Sequence, residues 1–99
     1  MADRQVRWSD RATAENDNLS IYLLSEWGVD ITIKVRNLID KAAARIQETP
    51  EHFPIFLKSK NIRRCVVSPQ TSIFFKVYKK EIVIISIFDN RQNPRKRKL

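Results

Sequence analysis

The C-terminal half of the sequence contains three short apolar runs separated by gaps of a few residues. The runs are rich in Val, Ile and Phe and span residues 62–68, 72–78 and 81–89. Strands joined by so few residues can pair only as an antiparallel meander, because a parallel connection needs a dozen or more residues to cross over. The rest of the chain must therefore fold around a three-stranded sheet.

The N-terminal part of the chain predicts a strand followed by a helix. Gln5–Trp8 alternates polar and apolar residues, which suits a short edge strand. Ser9 offers a hydroxyl that can cap a helix N-terminus, and apolar residues then recur at helical spacing. Gly28, the single glycine of the chain, ends this helix as a C-cap residue.

A second helix follows almost at once. Asp30 is its predicted N-cap, apolar residues recur at helical spacing up to Ile46, and Thr49–Pro50 ends it. Two helices joined so closely pack as an antiparallel pair. Residues 51–57, which follow Pro50 and include Pro54, form a predicted irregular link.

These elements together predict an α+β fold. An N-terminal strand precedes an antiparallel helix hairpin, which packs on one face of a C-terminal three-stranded antiparallel meander. Residues 1–90 are expected to form one domain, and residues 91–99 form a basic tail.

The meander is apolar on both faces. If Pro69–Gln70 and Lys79–Lys80 are the turns, the face that meets the helices carries Val66, Ile73, Phe75, Val77, Ile82 and Ile84. The second face then carries Cys65, Phe74, Val83, Ile85 and Ile87, and it places Arg63 directly across from Lys76, an unfavourable like-charge pair. One helix hairpin covers one face, so the second is shielded by the N-terminal strand and tail or contacts a partner.

Charge is distributed unevenly along the chain. Residues 1–51 carry seven Lys or Arg against nine Asp or Glu, whereas residues 52–99 carry twelve against two, giving −2 and +10. Such asymmetry points to a polyanionic partner, either nucleic acid or an acidic protein segment. The alternative to a polyanionic partner is that these basic residues form an ordinary solvent-exposed face followed by a tail.

Several kinds of chemistry are not expected from this sequence. It has no glycine-rich phosphate loop and no paired cysteines, and its single histidine, His52, has no second ligand at metal-binding spacing, so neither a metal site nor a cofactor is predicted. Cys65 reads as a small buried hydrophobe in a reducing compartment. With no apolar run near 20 residues and no signal-peptide pattern at the start, the expected location is the cytoplasm, without membrane contact.

What remains is a basic sheet. Side chains of Lys and Arg can hold phosphates, or they can assist RNA cleavage if another group acts as acid or base. The residues available for phosphate or target binding are Lys58, Lys60, Arg63, Arg64, Lys76, Arg91 and Arg95.

The order of motifs resembles the RelE/ParE superfamily of toxins from type II toxin-antitoxin modules. The residues that carry the resemblance are Val6-Arg7-Trp8-Ser9, Phe53-Pro54, Ile62-Arg63-Arg64-Cys65-Val66-Val67, Ile73-Phe74-Phe75-Lys76-Val77 and Ile87-Phe88-Asp89-Asn90-Arg91-Gln92-Asn93-Pro94. They span nearly the whole chain. The resemblance implies a toxin that a cognate antitoxin neutralises, and Phe74, Val83, Ile85 and Ile87 of the second face are the residues expected to meet that antitoxin.

The resembled superfamily has two branches with different targets. RelE-like members cut mRNA on the ribosome with basic residues on the sheet and a tyrosine near the C-terminus, whereas ParE-like members poison DNA gyrase without nuclease activity. The nuclease candidates in this chain are Arg63, Arg64, Lys76 and Arg91, with Lys58 or Lys60 assisting.

This sequence departs from the nuclease pattern at three points. Cys65 and Ser72 stand where basic residues are expected, and no tyrosine follows Tyr78. Losing several cooperating groups costs far more activity than losing one. The resemblance therefore favours a ParE-like protein that acts by binding; a ribosome-dependent endonuclease is the alternative, and a non-toxic nucleic-acid-binding domain is the third reading.

Overall fold

The computed structural model of the chain describes residues 4–92 and 99. Two helices and five strands follow one another along the chain, with single turns of 3-10 helix on either side of the second strand. Their bounds are β1 Gln5–Trp8, α1 Asp10–Trp27, α2 Val29–Glu48, β2 Ile55–Leu57, β3 Ile62–Val66, β4 Thr71–Val77 and β5 Glu81–Asp89, and the 3-10 turns are Pro50–His52 and Lys58–Lys60.

The five strands form one sheet in the order β1-β5-β4-β3-β2. The meander β3-β4-β5 is antiparallel, as predicted, and β1 pairs in parallel with β5 at one edge. The two helices and the strands β2 to β4 together form the long connection that this parallel pair needs. β1 therefore extends the sheet and does not cover its second face. The predicted irregular link contains β2, an unpredicted edge strand of three residues that pairs with β3.

Ser9 and Gly28 set the ends of α1. The Ser9 hydroxyl accepts the Ala12 N–H at 3.0 Å and donates to the Ile85 carbonyl at 3.1 Å, so the helix start is tied to β5. Gly28 has a φ of 90°, which favours glycine, and it serves as the C-cap of α1 and the N-cap of α2. The predicted N-cap role of Asp30 is wrong, since α2 has already begun at Val29.

The core lies between the helix hairpin and one face of the sheet. Both helices contribute an apolar stripe, and the inward side chains of β3, β4 and β5 meet it. Arg36 of α2 donates to the Ser20 hydroxyl of α1 and fixes the helices side by side. The buried core residues are Ala12, Leu19, Leu23, Val35, Ile39, Ala42, Ile46, Cys65, Ile73, Phe75, Ile82, Ile84 and Ile87.

One extra residue at the β3–β4 turn shifts the predicted register by one position. The N–H groups of Val67 and Ser68 both donate to the Thr71 carbonyl, at 2.9 and 3.2 Å, so Cys65 pairs with Ile73. A shift of one residue moves every side chain of a strand to the other face. Cys65 is therefore in the core, and Val66 lies on the second face; both predicted positions were wrong.

A second irregularity lies within β5. Phe74 pairs with Ser86, but its neighbour Phe75 pairs with Ile84, which leaves Ile85 as the extra residue of a β-bulge. The bulge brings Ile87 to the helix side, so its predicted position on the second face was wrong. Residues 79 and 80 do form the second turn, as predicted, because Val77 pairs with Ile82.

A carboxylate from α1 compensates for the lost pairing at this bulge. Oε1 of Glu15 accepts the Ile87 N–H at 3.1 Å and the Ser86 hydroxyl at 2.8 Å. Its other oxygen accepts from Arg11 at 3.2 Å. Since the Ser86 and Ile87 donors lie in a buried part of the sheet, leaving them without an acceptor would cost the full desolvation of both groups.

Replacing Glu15 by alanine should lower the free energy of unfolding by about 2–3 kcal/mol, because two donors lose their acceptor. Asp17→Ala is the matched control, since Asp17 is an exposed acid on the same helix. Urea denaturation of both variants and the parent measures the effect. Equal stability of the two variants would show that the bulge does not depend on this carboxylate.

Candidate functional site

The second face of the sheet, which is turned away from the helices, combines basic and aromatic side chains. Alternation along the observed register places one or more residues from every strand on this face. Its members are Arg7, Phe56, Ile62, Arg64, Val66, Ser72, Phe74, Lys76, Val83 and Phe88. The face is thus apolar at its centre and carries cations around the apolar residues.

Arg64 is held in a fixed position on the second face. Its Nε donates to the Ser72 hydroxyl at 3.1 Å, and its guanidinium lies 5.9 Å from the centroid of the Phe56 ring. That ring packs in turn on Phe74, with centroids 4.9 Å apart. A guanidinium oriented over an aromatic ring is well suited to recognise a carboxylate or phosphate.

Arg63 has a different position from the one predicted. It pairs with Phe75, and its Nη1 donates to the Phe53 carbonyl at 2.6 Å and to the Glu51 carbonyl at 3.4 Å. Its guanidinium therefore fastens the link between α2 and β2. The predicted cross-strand pair with Lys76 was wrong, because the register of β3 and β4 sets Arg63 opposite Phe75.

Arg91 is engaged by a buried carboxylate just after β5. Its Nη2 lies 2.6 Å from Oδ2 of Asp89, while its Nε and backbone N–H donate to Oδ1 at 3.0 and 2.9 Å. The Thr71 hydroxyl also donates to Oδ2, at 2.6 Å. The side chain of Asp89 is fully buried, and that of Arg91 is 19% exposed.

This cluster shifts the protonation equilibria of both partners. Burial acts to raise the pKa of Asp89, but the hydrogen bonds from Arg91 and Thr71 outweigh it and hold that pKa below its ordinary value. The hydrogen bond to Asp89 in turn raises the pKa of Arg91. The Tyr22 hydroxyl donates to the Arg91 carbonyl at 3.0 Å, so the same residue ties the end of β5 to α1.

The four nuclease candidates do not form one cluster. Arg91 and Thr71 both bond to the Asp89 carboxylate. Lys76 lies five residues from Thr71 along β4, which corresponds to roughly 16 Å of strand. Arg63 is turned toward the link and Arg64 toward the second face. A scissile phosphate can be polarised only by groups within hydrogen-bonding reach, so this arrangement does not assemble the predicted set.

The remaining predicted binding residues lie at one corner of the sheet or outside the described residues. Lys58 and Lys60 are exposed on the 3-10 turn between β2 and β3, and Nζ of Lys60 lies 2.7 Å from the backbone oxygen of Leu99. Arg95 belongs to residues 93–98, which lie outside the described part of the chain. Of the predicted binding residues, Lys58, Lys60, Arg64 and Lys76 thus remain available at the sheet.

The residues predicted to meet an antitoxin differ in burial. Phe74 and Val83 lie on the second face but are buried, Ile85 is half-buried at the bulge, and Ile87 is in the core under the helices. Val66, which was assigned to the other face, is 56% exposed on this one. The exposed apolar part of the second face is therefore nearer to β2 and β3 than predicted.

Two structural roles were missed by the sequence reading. Asp89 was noted only as part of a motif, although a carboxylate two residues before an arginine at a strand end is a recognisable signal for a local ion pair. Phe56 was placed in an irregular link, and nothing in the sequence of this segment indicated that its ring would support Arg64.

Neither a membrane span nor a metal cluster is found in the part of the chain that the structure describes. No helix there has the length and apolarity that crossing a bilayer requires. No three acidic, histidine or cysteine side chains lie close enough together to hold a metal ion.

The Asp89 cluster predicts a pH-dependent contribution to stability. Because the pKa of Asp89 is lowered by folding, its contribution is present above the unfolded value near 3.9 and is lost as the pH falls through the still lower folded value. At neutral pH, Asp89→Asn should cost about 3 kcal/mol, since it leaves Arg91 without its counter-charge.

Urea denaturation of the parent and Asp89→Asn between pH 7 and strongly acidic pH measures this contribution. The difference in unfolding free energy should shrink below about pH 4. Glu51→Gln, which alters an exposed carboxylate, provides the control. A difference that stays constant with pH would show that the Asp89 charge is not the source of the stability.

Comparison with known proteins finds similarity in structure alone. No protein-family model matches the sequence, and no curated protein matches it. Among solved structures, a chain of the chromosomal ParDE toxin-antitoxin system from P. aeruginosa superposes with a TM-score of 0.77 at 19% identity, covering 90% of this chain and 98% of that one.

Two further solved structures have the same architecture at greater distance. A chain of the E. coli DinJ-YafQ toxin-antitoxin complex gives a TM-score of 0.59 at 13% identity, with 92% and 97% of the two chains covered. A copper-bound mutant toxin from Helicobacter pylori gives 0.56 at 17% identity, with 91% and 98% covered. The chain therefore has the RelE/ParE fold, as the sequence resemblance predicted.

Proposed function

We propose that this protein is the toxin of a type II toxin-antitoxin module and that it arrests bacterial growth by binding an essential cytoplasmic target. A cognate antitoxin neutralises it. The superposition on a chain of a ParDE toxin-antitoxin system over nearly the full length of both chains supports this proposal. The resemblance to the ParE-like branch makes DNA gyrase the proposed target.

The dispersal of the nuclease candidates is the observation that carries the choice of binding over cleavage. Arg63 fastens the link between α2 and β2, and Arg91 neutralises Asp89. Each is engaged in holding the fold together, and neither shares the second face with Lys76. A protein that acts by binding needs only a shaped and charged surface, whereas a nuclease needs its groups within reach of one phosphate.

The second face is the proposed surface for target or antitoxin. Arg64 and Lys76 give it positive charge, and Lys58 and Lys60 continue that charge at the corner beyond β2. Exposed Val66 provides an apolar contact beside Arg64. An acidic, partly apolar segment of an antitoxin would complement both properties, with the half-buried Ile85 and the buried Phe74 and Val83 behind this surface.

Ribosome-dependent cleavage of mRNA is the rival function within the same fold. Arg64 and Lys76 share one face and could contact RNA, and a DinJ-YafQ toxin-antitoxin complex is among the similar structures. A basic nucleic-acid-binding domain without toxicity is the other rival. Both rivals predict cellular effects that differ from those of gyrase poisoning.

Induced expression separates these functions. We expect growth arrest in which labelling of DNA synthesis falls before labelling of protein synthesis, and rescue by co-expression of the cognate antitoxin. Translation failing first, with new 5′ ends on ribosome-bound mRNA, would contradict a binding mechanism. Unaffected growth would contradict the toxin role and favour the nucleic-acid-binding reading.

Charge reversal on the second face tests where the target binds. The double variant Arg64→Glu with Lys76→Glu should lose growth inhibition by at least about tenfold in the inducer concentration required, because reversed charges repel an acidic target. Lys34→Glu with Lys41→Glu is the matched control, since it makes the same change in net charge on exposed positions of α2. Equal loss in both variants would show that only net charge matters.

A further inference from the structure

We infer that two copies of this chain associate through the outer surface of the helix hairpin, near the turn at Gly28. This surface, the hairpin patch, consists of Ile21, Leu24, Trp27, Val29 and Ile33. It lies on the helices and away from the basic residues proposed to bind the target. Association through it would leave the sheet of each copy exposed.

The hairpin patch concentrates exposed apolar side chains. Its five members are 52–67% exposed, and they make up five of the nine large apolar side chains that are exposed in residues 4–92 and 99. Single exposed apolar residues need no explanation, but a group of them on one surface usually marks an interaction site. The two helices otherwise follow the ordinary pattern of an inner apolar stripe and a polar exterior.

The patch is continuous across both helices. Spacings of three residues place Ile21, Leu24 and Trp27 successively along α1, and a spacing of four stacks Val29 on Ile33 in α2. The Arg36–Ser20 hydrogen bond fixes the level of one helix against the other. Leu24 is four residues after Ser20, and Thr32 is four residues before Arg36. Leu24 therefore lies level with Thr32, the neighbour of Ile33 in the sequence.

Charge on the hairpin favours a second copy over an acidic partner. α1 has four acidic residues and one basic residue, and α2 has three acidic and four basic, so the hairpin carries −2 while residues 52–99 carry +10. An acidic partner is attracted to the sheet half of the molecule. Two copies that meet hairpin to hairpin keep their strongly basic halves apart.

A two-fold arrangement fits these charges. With α1 of one copy across α2 of the other, a helix of net charge −3 lies opposite a helix of net charge +1 at both halves of the interface. Two packed helix hairpins form a four-helix arrangement, and a closed two-fold pair leaves no unpaired patch that would propagate into a filament.

The size of the patch predicts a dimer of moderate affinity. Five large side chains that are each more than half exposed offer on the order of 100 Å² apiece, or about 500 Å² of apolar surface per copy. A standard interface buries about 800 Å² per partner, so the polar surroundings must supply the remainder. We therefore expect a dimer that forms at high protein concentration and dissociates on dilution.

Sedimentation velocity of the purified full chain over a wide concentration range tests the proposal. The apparent mass should rise from one chain of 11.7 kDa to twice that value. Leu24→Glu and Ile33→Glu should each raise the dissociation constant by more than about tenfold, because a charge at the centre of an apolar interface is desolvated without a partner. Circular dichroism checks that each variant remains folded.

Val66→Glu is the matched control, because Val66 is exposed to a similar degree but lies on the sheet. It should dimerise as the parent does. A parent chain that stays monomeric at every concentration would overturn the proposal, as would loss of the dimer in Val66→Glu with retention in Ile33→Glu. Growth inhibition does not enter these readouts, so they are independent of the proposed function.

Discussion

The pairing of β4 with β5 across a one-residue bulge determines which side chains of the sheet meet the helices. Ile85 is the extra residue, and without it Ile87 would point away from the core. Beside the bulge, Glu15 of α1 accepts the Ile87 N–H and the Ser86 hydroxyl. Ser9 binds the Ile85 carbonyl at the start of the same helix. The position of the helix hairpin and the register of β5 therefore depend on each other.

The positive charge of the C-terminal half divides into structural and available cations. Arg63 satisfies two carbonyls of the link, and Arg91 neutralises a buried carboxylate, so their charges hold backbone segments in place. Arg64, supported by Ser72 and the Phe56 ring, and Lys76 present charge on the second face. This division explains how a basic sheet can keep its fold while only part of its positive charge is presented on the second face.

Most elements of the fold could be predicted from the sequence, because local signals determine them. Ser9 and Gly28 bound α1 as expected, and the short gaps of the meander left no alternative to antiparallel pairing. The faces of β3 and the end of β5 could not be predicted, since single extra residues at Val67 and Ile85 reverse the alternation without a distinctive sequence. The predicted site was partly wrong for the same reason: the partners of Arg63 and Arg91 depend on a register and a link that only the folded chain defines.

In the proposed mode of action, the protein inhibits its target by binding it, without cleaving a substrate. The target contacts a charged and partly apolar surface of the sheet. A supercoiling assay with purified DNA gyrase and the purified full chain tests this most directly. The account predicts that supercoiling stops at stoichiometric amounts of the protein and resumes when the antitoxin is added. Normal supercoiling at stoichiometric excess would contradict gyrase as the target.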